Sequence, residues 1–225
     1  MDLGDLKITD SPERMVGVMG QSLATATAQK AFEFFSDKKF RNFLGWENLS
    51  QLERDRIFNE LVVSGLVMLM LLCESPDLRM EEGIKDYLRS VKDKIGREYV
   101  EILKENGVER KYLNDWEKLV QMRYNEYAKD KHEVRSAAME VEAAEDGLDL
   151  KKLEGIQMLL PVHTVAIGCH HHICRGKTEG KDELFKLILK WLGNFYVEIR
   201  VTMEGGKITW WKRLKSKLRH IYNTT

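Results

Sequence analysis

Residues 61–73, LVVSGLVMLMLLC, form a run of 13 positions without a charge, and no other feature of the chain restricts its fold as much. A helix that is apolar nearly all round has no face to give to water and belongs inside a bundle. The run is shorter than the roughly 20 residues that a membrane-spanning helix requires. It therefore reads as a buried core helix. A longer stretch, 156–174, holds Gln157, Pro161 and four His, whose polar groups would be costly in hydrocarbon. No transmembrane segment is expected.

The surrounding sequence supplies helices to bury that run. Ser50-Gln51-Leu52-Glu53 has capping-box spacing and opens the helix that leads into it, and Ser75-Pro76 should stop it. Upstream, Ser11-Pro12 pairs an N-cap with proline at the first helical position, and a firmer helix covers about 21–35. Downstream, Ile84, Leu88, Val91, Ile95, Tyr99 and Ile102 recur at helical spacing up to Asn106-Gly107. Leu113, Trp116, Val120, Tyr124 and Tyr127 repeat the pattern in a helix that can continue through the Ala- and Glu-rich residues to 145, with Asp146-Gly147 after it. A helix from Asp149 meets Pro161, where a kink or break is expected because proline removes a backbone donor. Beyond a turn at 176–180, Leu184, Leu187, Ile188, Trp191, Leu192 and Phe195 mark another helix.

Residues 196–211 admit two readings. Val197, Ile199, Val201 and Met203 alternate with polar residues before Gly205-Gly206, which is a hairpin pattern, and Gly193-Asn194 could end the preceding helix. Phe195, Ile199 and Met203 also continue a helical face at fourfold spacing. The expected fold is mainly α, a multi-helix bundle, with one small β-hairpin near 196–211 as the open alternative. Its expected parts are a flexible start, 1–12, a bundle, 13–206, and a basic amphipathic segment, 207–225, either docked or partner-binding.

The signatures of common catalysis are missing from the sequence. No phosphate-cradling Gly-rich loop, Gly-x-Ser-x-Gly elbow or Cys-x-x-Cys pair is present, and Ser136 stands where a zinc-protease motif begun by His132-Glu133 needs its second His. Three Cys give an odd count without framework spacing, and 1–10 carries three Asp and no apolar run. A cytoplasmic protein is expected.

Two places offer chemistry. Four of the six His lie within ten residues beside Cys169 and Cys174. On one helix, His170 and Cys174, or less well Cys169 and His172, stand close enough to chelate a transition metal, with His163 on the same face but about 10 Å along the axis from His170, and Glu60 as a ligand from the core helix. Glu60 enters because a buried carboxylate requires a partner, and a metal or a protonated His would serve. A haem with one His as axial ligand is a variant of this reading.

The second place is the end of the sequence. The chain has 36 Lys and Arg against 36 Asp and Glu, but from Gly205 onward there are six Lys or Arg and no Asp or Glu. The neutral total hides a dipolar distribution. Read as a helix, this stretch carries Trp211 on an apolar stripe beside a basic surface. Trp210, Trp211, Lys212, Arg213, Lys215, Lys217 and Arg219 are the candidate partner-binding residues. The expected partner is anionic: nucleic acid, an anionic membrane surface or an acidic protein. The leading expectation is a non-catalytic interaction or regulatory module, with a metal- or haem-binding helical protein as the competing one.

Overall fold

The computed structural model describes residues 11–145 and 149–205. Their seven α-helices are α1 Pro12–Phe35, α2 Lys38–Leu44, α3 Gln51–Cys73, α4 Glu82–Glu105, α5 Arg110–Glu145, α6 Leu150–Ile173 and α7 Asp182–Met203, with a 3-10 turn at Trp46–Asn48 after α2. The protein is a mainly α multi-helix bundle.

Its centre is α3, which packs against α1, α4, α5, α6 and α7. Every residue from Glu60 to Cys73 is buried, so the apolar run is covered on all sides by protein. α3 is the one helix among the described residues long and apolar enough to cross a membrane, and 83% of its most apolar window is buried inside the bundle. At about 1.5–3 kcal/mol for each fully buried large apolar side chain, this helix is the largest single contributor to the core.

Local signals set most boundaries. Ser11 Oγ accepts from the Arg14 amide at 3.4 Å with Pro12 in the first turn, and α1 continues unbroken to Phe35. Ser50 Oγ accepts from the Glu53 amide at 3.2 Å, but Glu53 does not complete the capping box. Its carboxylate is taken by Arg56 and by Arg175 from beyond α6, each at 2.5 Å. Asp149 caps α6 through the Lys152 amide at 2.8 Å.

Two expectations are corrected. Pro161 neither breaks nor ends α6, which runs through it. One residue from the carbonyl that loses its donor, the Tyr196 hydroxyl donates to the Met158 carbonyl at 2.8 Å, and the buried surroundings hold the helix together. The hairpin reading fails over 196–203, because α7 continues to Met203; residues 206–211 lie outside the described residues. Helix wins because it buries Leu192, Phe195, Tyr196, Ile199 and Arg200 together. Arg200 then bonds Asp77 Oδ2 at 2.8 Å and Glu204 Oε1 at 3.0 Å, which fixes the last turn. Gly205, at φ 66°, takes the left-handed position that ends it.

Candidate functional site

The densest polar arrangement lies where α3, α5 and α6 meet. Glu60 on α3 and Arg123 on α5 face each other with side chains only 9% and 12% exposed. Arg123 Nη2 donates to Glu60 Oε1 at 2.8 Å and its Nε donates to Oε2 at 3.2 Å, a bidentate pair. Nη1 of the same guanidinium reaches Glu126 Oε2 at 3.1 Å, and Glu126 Oε1 lies 2.9 Å from His172 Nε2 on α6. Burial alone would lower the Arg123 pKa, but the Glu60 hydrogen bond and charge outweigh it and raise it above its ordinary value.

Next to this chain sit Ser64, Tyr127 and Cys169. Burial raises the Tyr127 phenol well above its ordinary range and pushes the Cys169 thiol up to about 12. Ser64 Oγ and the Tyr127 hydroxyl are buried without a hydrogen-bond partner of normal geometry. Helix α6 comes this close because position 168 is glycine, and a Cβ there would run into the Tyr127 ring. These groups are neutral at pH 7, so the cluster holds a fixed ion pair beside inert hydroxyls and a thiol. Such a cluster orients three helices and offers no activated nucleophile.

The four residues expected at a metal site, His170 and Cys174 with His163 and Glu60 nearby, are not gathered around one point. Glu60 is satisfied by Arg123, a cation from α5 that the sequence reading did not pair with it. His170 is buried against Phe185, with ring centroids 5.5 Å apart, and its Nε2 has no partner. Lys181 lies beside both His170 and Cys174, and its positive charge opposes a metal ion there. His163 is mostly buried, and burial lowers its pKa, as it does that of His170. Among the described residues no group of three or more His, Cys, Asp and Glu could hold a metal ion. The described residues therefore do not assemble the expected metal centre.

The sequence gives Arg123 and Glu126 no role, and it offers His172 only as a metal ligand beside Cys169, not as a partner of Glu126. The available signal was Arg123 itself, a charge four residues before the buried Tyr127 and three after Val120 on an otherwise apolar stripe. A cation so placed requires a buried anion, and Glu60 was the one already singled out. The thiols are equally uninformative about catalysis: burial pushes Cys73 up to about 12 and raises Cys174. The candidates Trp210, Trp211, Lys212, Arg213, Lys215, Lys217 and Arg219 lie outside the described residues. No family model, no curated protein and no solved structure matches the chain.

Proposed function

We propose that this protein is a non-catalytic interaction module that meets an anionic partner through its basic, Trp-bearing segment, residues 207–225. One observation carries the reading: six Lys or Arg and no Asp or Glu from Gly205 onward. The remaining chain carries the compensating negative charge, so the two parts differ in sign as well as in composition. Attraction of such a segment to phosphates or anionic headgroups depends on salt, since bound cations are released or screened.

Two features of the bundle support the reading. α7 ends at Met203, with Glu204 bonded to Arg200 and Gly205 left-handed, before the basic residues begin in the sequence. The buried thiols are unpaired and inert, which fits a binding role in a reducing cytoplasm.

Deleting 207–225 tests it. Salt-sensitive binding to nucleic acid or to anionic vesicles should disappear while the unfolding transition of the bundle is retained. Should the truncated protein unfold, and the intact protein bind neither, the segment is a structural helix and the reading is lost.

A further inference from the structure

The corner between α2 and α3 holds an open concavity of about 510 Å³. Gly45, at φ 66°, turns the chain so that α2 and the 3-10 turn form its two walls. Ser36, Lys38, Arg41, Asn42 and Asn48 present polar groups to it, and Glu47 is the one acidic residue in its lining.

Arg41 is held there by two contacts. Its Nε donates to the Phe35 carbonyl at 2.9 Å, and its guanidinium lies 4.4 Å from the Trp46 ring centroid. Neither Nη group has a hydrogen-bond or ion-pair partner among the described residues, and the Lys38 ammonium is equally unpaired there. On Trp46 sits a second guanidinium, that of Arg54, at 4.8 Å; its Nη2 donates to the Trp46 carbonyl at 3.0 Å. Arg54 Nε is buried without a partner. Two cations stacked on one indole repel each other, and an anion at the rim relieves that repulsion. By contrast, the nearby Arg56 is consumed by the His172 and Ile173 carbonyls, both at 2.8 Å, and by Glu53.

We propose that this concavity binds a phosphate monoester of a small molecule, with Arg41 and Lys38 on the phosphate and the Asn42 and Asn48 carboxamides on the neutral polar part. Arg41 offers a planar fork already fixed by stacking, the geometry that suits a phosphate, and Lys38 adds a point charge. Prior fixing of the side chain reduces the entropy lost on binding. Carboxamides both donate and accept, which suits the hydroxyl or ring-nitrogen pattern of a sugar or a base. This site involves none of residues 207–225 and stands or falls apart from the function proposed for them.

Calorimetric titration of the full chain with adenosine monophosphate, a hexose phosphate, inorganic phosphate and adenosine tests the proposal. At least one of the two esters should bind saturably and more tightly than inorganic phosphate, with adenosine showing no binding; which ester binds identifies the neutral part. Lys38→Gln and Arg41→Lys should each weaken it about tenfold or more, as expected when a charge-assisted hydrogen bond is removed. Glu47→Gln should tighten it. Lys38 is exposed and has no hydrogen-bond or ion-pair partner among the described residues, so its variant keeps the test valid even where Arg41→Lys disturbs the corner. Equal binding of adenosine and its monophosphate, no binding of either ester, or unchanged affinity in Lys38→Gln would each overturn the proposal. So would ester binding that vanishes on deletion of 207–225 while Lys38→Gln leaves it intact.

Discussion

Arginines are used in opposite ways at two places in this bundle. At the α3–α5–α6 junction, Arg123 is enclosed and all its bonded directions end on Glu60 and Glu126. At the α2 corner, Arg41 is equally well oriented, by Trp46 and the Phe35 carbonyl, but two of its nitrogens have no partner among the described residues. The contrast teaches that orientation alone does not distinguish a structural from a binding arginine. What separates them is whether the fold has already supplied the anion.

The largest effect that could break this comparison is expected at the enclosed pair. Glu60→Ala leaves Arg123, largely enclosed, with Glu126 as its one remaining carboxylate and should cost up to about 3 kcal/mol in denaturant unfolding, whereas Glu60→Leu combined with Arg123→Met should recover most of that loss. A loss below about 1 kcal/mol in the single variant would mean that water reaches the site, and the pair would then resemble the exposed corner.

Gly168→Ala comes next, since the added methyl meets the Tyr127 ring; overpacking of this kind costs about 1–3 kcal/mol, read as a lower melting temperature. Tyr127→Leu in the same background should relieve the clash. An unchanged melting temperature in Gly168→Ala would show that α5 and α6 are less closely apposed than described.

A pH dependence follows from His163 and His170, both with pKa values lowered by burial. The unfolded chain binds their protons more readily than the folded one. Their contribution to stability is therefore fully present above about pH 6.5, the ordinary His value, and is lost as pH falls through it toward the lowered folded values. Glu53, held below its ordinary 4.5 chiefly by the Arg56 hydrogen bond, gives a separate loss at more acid pH. Unfolding curves at pH 7.5 and 5.5 should differ, and His163→Phe should reduce the difference. Curves that coincide would place both rings in water.

The smallest effect belongs to the corner. Lys38→Gln should change stability by less than about 0.5 kcal/mol, because nothing in the fold depends on an exposed, unpaired lysine. A larger loss would make Lys38 structural and erase the distinction between the two regions.

Much of the architecture was legible because helix formation is largely a local matter. Ser11-Pro12, Ser50 and Asp149 act on amides within their own first turn, and each caps the helix it announces. The errors arose where a distant group intervened. Glu53 satisfies the local spacing of a capping box but is drawn away by Arg56 on its own helix and by Arg175, 122 residues on. Pro161 has the local chemistry of a breaker, yet it lies inside a helix supported by Tyr196 from α7. The alternation at 197–203 fits a strand when read alone, but Arg200 finds Asp77 only if the segment is helical.

The candidate site was less legible than the fold. Glu60 was recognised as a buried carboxylate in need of a partner, but the partner, Arg123, lies 63 residues away on another helix. His170 and Cys174 share a helical face as their spacing requires, but no sequence rule brings Lys181 beside them.

By itself the sequence determined a mainly α chain built around one apolar helix, together with the opposition of charge between its body and its last 21 residues, since composition and a 3.6-residue period fix these locally. Only the tertiary structure decided which charges are consumed and which are left available. Pairing a buried ion depends on what other helices carry to within about 3 Å of it, and that distance is set by packing rather than by spacing along the chain.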